Sequence, residues 1–180
     1  MIAIKPFTSF SDRPDLFEKM SQLDQEVLLA TGPSYDENAW GVKEFSYPLP
    51  EKEKLSFGVL KDEDLIGFSI AYAFKPDWHH ISRVAIHPNQ TGLGIGKQLL
   101  TLQIQEMLKL SPEIISVDTK RSNLAAIKLY ESFNFQILQG QELETYVKLR
   151  NRETGEYLGE SATHFALLRK VAPNFKFKLS

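Results

Sequence analysis

Not one cysteine occurs among the 180 residues of this chain. Disulfides, thiolate metal sites and a cysteine nucleophile are excluded together, and such a chain suits a reducing compartment. Apolar stretches are short, and none approaches the ~20 residues that a spanning helix needs. The N-terminal "MIAIKPFTSF" is apolar for only a few residues before Lys5 and Pro6 break it, so it reads as neither a secretory signal nor a membrane anchor. The expected compartment is the cytosol. Nor is there a charge excess. Lys and Arg number 21 against 23 Asp and Glu, for a net charge of -2, which gives no field to draw nucleic acid or an anionic membrane. The C-terminal "NFKFKLS" is locally basic, but two lysines between phenylalanines suit an edge strand or tail better than a binding patch.

What is present is an ordinary globular composition, 42% hydrophobic and 24% charged, sized for one domain over residues 1–180. "IAIKPF" alternates as a strand. Asp12, Arg13 and Pro14 resemble a helix start, and Leu16, Met20, Leu23, Val27 and Leu28 recur behind them at helical spacing until Gly32-Pro33. Residues 34–54 lack a clear period but carry Tyr35, Trp40, Phe45 and Tyr47, as a short helix or lid would. "LSFGVLKDEDLIGFSIAYAF" reads as a hairpin about the acidic turn Asp62 to Asp64, and a third strand runs from about His80 to Ile86. A helix bearing Leu100, Ile104, Met107 and Leu108 follows, stopped by Ser111-Pro112. "IISVDT" is a short buried strand and "NLAAIKLYESFNF" a second helix of this half. The remainder, from Gln136 to Lys170, reads as two strands joined through "NRETGEY". The expected fold is a mixed α/β (α+β) domain.

Between the third strand and its helix stands "HPNQTGLGIGKQLL". A helix N-terminus exposes unpaired amides, and glycines before it let those amides close on an anion without a Cβ in the way. Gly92, Gly94 and Gly96 therefore point to a phosphate or pyrophosphate, or else to a tight turn that needs positive φ. A P-loop fails here, because Thr91 stands five before Gly96 and Gln98 follows Lys97. The dinucleotide fingerprint is weakened: the spacing is Gly-x-Gly-x-Gly after an extra turn, although Asp118 stands where a ribose-binding acid would.

Taken together, "RVAIHPNQTGLGIGKQLL" and "NLAAIKLYESFNF" resemble the GNAT superfamily of N-acetyltransferases. His87-Pro88, Gly92, Gly94 and Gly96 match the first half of its signature, and Asn123, Ala126, Tyr130, Glu131 and Phe135 match the second. The match covers about residues 80–136. Two positions depart: Thr91 stands where the family has Arg or Gln, and Asn134 replaces the glycine after the last helix. Asparagine is the next best residue for a left-handed C-cap.

The resemblance implies a mostly antiparallel, twisted sheet of about six to seven strands, splayed at the cofactor site and flanked by helices on both faces. It implies acetyl-CoA as acetyl donor, no metal, and direct transfer to a primary amine of a small molecule, peptide or protein. Val84, Ala85 and Ile86 would pair through their backbone with the pantetheine arm, as a peptide pairs with a sheet edge. Thr91, Gly92, Leu93, Gly94, Ile95, Gly96 and Lys97 would surround the pyrophosphate. Asn123 would hydrogen-bond the cofactor or act as a helix N-cap, or both. Tyr130 would be the general acid for the leaving thiolate, against the alternative of a core aromatic.

An amine must lose a proton before it attacks. Asp118, where some family members carry a carboxylate, is one candidate base; His79, His80 and water are others. The histidine pair is a poor metal site, having no further ligand at helical spacing. The acceptor would meet the variable parts, with Tyr35, Trp40, Tyr47, Tyr157, Asp36, Glu37 and Glu44 as possible walls. A non-catalytic acyl-CoA-binding module and a nucleotide-binding protein stand as alternatives, and a monomer and a homodimer are both compatible with the chain.

Overall fold

The computed structural model describes residues 1–10, 13–36, 38–154 and 164–177, with the backbone alone at 152–154. Thirteen elements follow one another: β1 (Ile2–Pro6), α1 (Leu16–Thr31), α2 (Val42–Ser46), α3 (Lys52–Leu55), β2 (Phe57–Lys61), β3 (Asp64–Lys75), β4 (Trp78–Ile86), α4 (Ile95–Lys109), β5 (Ile114–Lys120), α5 (Leu124–Glu131), β6 (Gln136–Ile137), α6 (Gly140–Thr154) and β7 (His164–Lys170). The seven strands form one sheet in the order β1-β2-β3-β4-β5-β7-β6. Only β4 and β5 pair in parallel; the other pairs are antiparallel. This is the mixed, mostly antiparallel architecture expected. Asp12, in the expected helix start, lies outside the described residues.

The periodicities explain the layers. On one face, Leu100, Ile104 and Met107 of α4 and Tyr130 of α5 pack with Ile81, Ile115, Val117 and Leu167. On the other, Leu16, Met20, Leu23 and Val27 of α1 and Phe45 of α2 cover Phe68, Ile70 and Ala85. Each stripe recurs every three or four residues, which is what turns one side of a helix to a sheet. The aromatic stretch after Gly32 contains the short α2 and α3. Asn134 has φ 64, the left-handed cap its position after α5 called for.

The segment from Gln136 to Lys170 corrects the expectation of two strands. Its strands are Gln136–Ile137 and His164–Lys170, and Gly140–Thr154 between them is the helix α6. Leu143, Tyr146, Val147, Leu149 and Arg150 form a helical stripe, and Tyr146 and Leu149 pack on Trp78, Ile114 and Leu168. The polar, turn-like "NRETGEY" masked that stripe; its first residues close the helix, and residues 155–157 lie outside those described. The tail is likewise no strand through residue 177, and Phe175 and Phe177 pack against the cluster of Trp78 and Tyr146.

Two irregularities position the site. In β4, Ile70 pairs with Arg83 but the next residue, Ala71, pairs with Ile81, so Ser82 is an extra residue, a β-bulge. The parallel β4–β5 pairing runs from Trp78–Ile114 to Ile81–Val117 and stops there, although β4 continues to Ile86 and β5 to Lys120. A bulge bends its strand, and here it falls where the two strands part.

Candidate active site

Beyond Ile81 the side of β4 that faced β5 carries no partner strand among the described residues, so backbone groups between Ser82 and Ile86 are open to an extended ligand. At the end of this edge the chain makes a tight turn over Pro88–Gln90 and enters α4. Thr91 commits its hydroxyl (2.9 Å) and its amide (3.4 Å) to the Pro88 carbonyl, closing that turn. Among the described residues, no backbone carbonyl takes a hydrogen bond from the amides of Gly92 through Lys97; the first helical bond is Gln98 to Gly94. Gly92 and Gly94 have φ of 78° and 76°, and nothing stands within 4 Å of where their Cβ atoms would be. Both glycines thus supply conformations that other residues resist, over open space. Gly96 differs, as its Cβ would touch Leu129 at an ordinary 3.5 Å. Leu93 and Lys97 are exposed, while Ile95 is buried in the core.

At the other side of the gap, Asn123 caps α5, its Oδ1 accepting from the Ala126 amide at 3.2 Å. The helix carries Tyr130 into the core cluster that holds Ile81 and Val117, the last paired residues before the strands separate. Burial and the nearby Asp118 carboxylate raise the Tyr130 pKa, so the phenol keeps its proton at neutral pH. Asp118 lies on the opposite face of β5, with its side chain 16% exposed. Its Oδ1 accepts from the Tyr146 hydroxyl at 2.8 Å, and its Oδ2 lies 3.8 Å from His80 Nε2 and 4.0 Å from Arg150 Nη2.

The two histidines diverge. His80 is buried between Ser116, 2.9 Å from its Nδ1, and Arg150, 3.2 Å from its Nε2. Burial, and then Arg150, hold its pKa well below the ordinary imidazole value, so the ring is neutral. His79 points to the other face, and its Nδ1 is buried without a hydrogen-bond partner. Burial lowers its pKa as well.

Next to the bulge, Arg83 is held by residues far away in sequence. Its Nε and Nη2 donate to the two oxygens of the fully buried Asp24 at 2.9 and 2.5 Å, and its Nη1 pairs with Asp36. The guanidinium lies over the rings of Tyr35 (4.6 Å) and Trp40 (5.1 Å), and the Trp40 amide bonds Asp24 at 2.7 Å. Three of the expected wall residues, Tyr35, Asp36 and Trp40, are thus brought together. Tyr47 is exposed, Glu44 bonds the Gly41 amide, and Glu37 and Tyr157 lie outside the described residues.

Asp24, Arg83, Ser116, Tyr146 and Arg150 were not singled out from the sequence. One signal was there: Asp24 follows Leu23 inside the apolar stripe from Met20 to Val27, where an unpaired charge would be intolerable.

A glycine-lined helix start beside a parallel pair that parts midway matches a known architecture. A model of the acetyltransferase (GNAT) family matches residues 18–135. The chain belongs to this family. It is accordingly an enzyme, a GNAT-type acyltransferase. No curated protein matches the chain. Among solved structures, the ribosomal-protein-S18-alanine N-acetyltransferase from Escherichia coli is 18% identical, with 98% of this chain and 100% of that one covered at a TM-score of 0.69. The NatC complex bound to Gag peptide and CoA aligns at 19% identity, covering 94% of this chain and 98% of that one with a TM-score of 0.68. PaiA N-acetyltransferase from Thermoplasma acidophilum, in complex with coenzyme A, is 19% identical over 94% of this chain and 99% of that one, with a TM-score of 0.63. At such identities the likeness carries the GNAT fold alone.

Proposed function

We propose that this GNAT acetyltransferase moves the acetyl group of acetyl-CoA directly to a primary amine, within one catalytic domain. The observation that carries the reading is the β4–β5 gap, with a glycine-lined helix start at one end and Asp118 and Tyr130 flanking its origin. The residues present fit the donor: an unpaired strand edge for an extended arm and an open, Cβ-free cradle for a pyrophosphate. Acetyl-CoA, when bound, supplies a thioester carbonyl and a thiol leaving group.

The backbone of Val84, Ala85 and Ile86 pairs with the pantetheine arm, and amides in this edge stabilise charge on the carbonyl oxygen. Amides from Gly92 through Lys97 bind the pyrophosphate at the positive end of α4, with Thr91 holding the turn in shape. Asn123 fixes the start of α5 and offers its side-chain amide to the donor. Tyr130 holds a proton at Oη for the departing sulfur; burial and the Asp118 charge keep that proton on the phenol, so it is given up only to a strongly basic partner such as a forming thiolate. Asp118 takes the proton from the incoming ammonium, because burial and Arg150 make His80 a weak, walled-in base and His79 faces the other side. The acceptor enters over the face that bears α1, α2 and α6. No described helix is long and apolar enough to cross a membrane. The enzyme is read as cytosolic, working as a monomer or homodimer.

Thiol release from acetyl-CoA in the presence of polyamines, aminoglycosides, amino acids and peptides with free N-termini tests the reading. Turnover on one class, with coenzyme A as competing product, is the expected result. Coenzyme A binding without turnover on any class would favour a non-catalytic acyl-CoA module, and absence of coenzyme A binding would remove both.

A further inference from the structure

We propose that Arg150 is a positioning residue that fixes the tautomer of His80 and the direction of a buried hydrogen-bond chain ending on Asp118. The catalytic part of this inference rests on the acetyl-transfer reading above; the hydrogen-bond chain itself does not.

The direction follows from which groups can only donate. A guanidinium has no acceptor, so the 3.2 Å contact between Arg150 Nη2 and His80 Nε2 requires that Nε2 accept. The proton of the neutral ring then sits on Nδ1, which donates to Ser116 Oγ at 2.9 Å. The Trp78 indole, also a pure donor, reaches the same oxygen at 2.7 Å. Two donors fill the lone pairs of Ser116, so its own proton is left for the neighbouring Tyr146, where a Ser116 donor opposes the burial that raises the phenol's pKa. The Tyr146 hydroxyl donates to Asp118 Oδ1 at 2.8 Å. An ionised carboxylate accepts only, so the chain is anchored at both ends, by a pure donor and a pure acceptor.

Arg150 is itself held in place. Its Nη1 donates to Tyr72 at 3.0 Å, and its guanidinium lies 4.6 Å from the Phe74 ring centroid. Among the described residues, the groups against His80 are Arg150 from α6, Asp118 and Ser116 from β5 and Tyr72 from β3, with Trp78 sharing its Ser116 partner. With Arg150 against Nε2, the ring cannot take a second proton, so the chain offers no exit for a proton that Asp118 accepts. The chain instead keeps the Tyr146 proton aimed at the carboxylate and holds that carboxylate as an acceptor beside the gap. The helix that supplies Arg150 and Tyr146 is α6, inserted between the last two strands.

Histidine-ring nitrogen NMR on the full chain reads the tautomer directly, with His80 assigned by its loss in His80→Gln. The expected wild-type state is a protonated Nδ1 and bare Nε2 across neutral pH. Arg150→Met loses that preference, whereas Arg150→Lys keeps it, because an ammonium also only donates. Ser116→Ala keeps it too, since the constraint comes from the Nε2 side. In the thiol-release assay Arg150→Met lowers kcat by roughly tenfold or more, with KM for acetyl-CoA unchanged, and Arg150→Lys restores most of it. A protonated Nε2 in the wild type, or an unchanged tautomer in Arg150→Met, overturns the proposal. A released tautomer with full kcat overturns its catalytic part. If the wild type turns over no amine, the acetyl-transfer reading falls while the NMR result still decides the hydrogen-bond chain.

Discussion

On the face covered by α4 and α5, leucines, isoleucines and Met107 make the contact, and the buried polar pair Ser69–Gln103 is neutral and satisfied, with Gln103 also bonding the Leu55 carbonyl. On the opposite face two buried arginines, Arg83 and Arg150, hold aspartates, tyrosines and a histidine. In the function proposed above, the first face serves the donor and works through backbone: an open strand edge, glycine conformations and helix amides. The second would serve the acceptor and works through side chains drawn from five elements. The difference teaches why the donor is so much easier to read. A backbone cradle is encoded by consecutive residues, whereas Arg83 and Asp24 stand 59 positions apart and Arg150 and Tyr72 stand 78 apart.

The comparison breaks most visibly at Asp24. Asp24→Asn strips one of two charge partners, the fully buried one, from the Arg83 guanidinium and leaves Asp36, and a loss of about 3 kcal/mol in denaturant unfolding is expected. Tyr130→Phe should do the reverse, leaving stability nearly intact while turnover drops about a hundredfold and coenzyme A affinity holds. Unchanged turnover would take Tyr130 out of the mechanism.

Within the glycine loop the expected effects are smaller and separable. Gly94→Val forces a branched residue into a φ of 76°, which costs about 1–2 kcal/mol. Calorimetry should also show coenzyme A binding about tenfold weaker, since the new side chain fills the cradle. Gly96→Ala meets only an ordinary 3.5 Å contact and should leave the unfolding midpoint almost unmoved. The last prediction concerns acid. His80 and His79 both have folded pKa values below the ordinary 6.5, so the unfolded chain takes up protons first as pH falls. Their contribution is complete above about pH 6.5 and shrinks below it, by at most about 1.4 kcal/mol per pH unit for each ring. Thermal unfolding at a series of pH values checks this, and His80→Gln should flatten the curve.

Much of the local geometry on the proposed donor side was legible because "TGLGIGK" and Asn123 to Tyr130 carry it in consecutive residues, down to the left-handed Asn134. The β-hairpin and the stripes of α1 and α4 followed from period alone. The helix α6 did not, because a mean composition rich in Glu, Gln and Arg hid the stripe from Leu143 to Arg150. The base was illegible for a different reason. The proposed choice of Asp118 over His79 and His80 rests on which face each side chain takes and on Arg150 closing in His80, and Arg150 comes from the helix that the sequence hid. Asp24 alone left a trace, as a charge in a core stripe.

Ser82 has a consequence beyond parting two strands. Through this one surplus residue, His80 and Arg83 share a face that strict alternation would have denied them. Removing Ser82 would straighten β4 and leave the sides as they are, because Ile81 and Arg83 would then alternate regularly. Keeping Ser82 but forcing it into the ladder would instead make every residue from Arg83 to Ile86 exchange sides, turning the guanidinium into the apolar layer and Val84 toward the acceptor. At that point the chain behaves like a text with a reading frame, in which one inserted letter is harmless only while it is skipped.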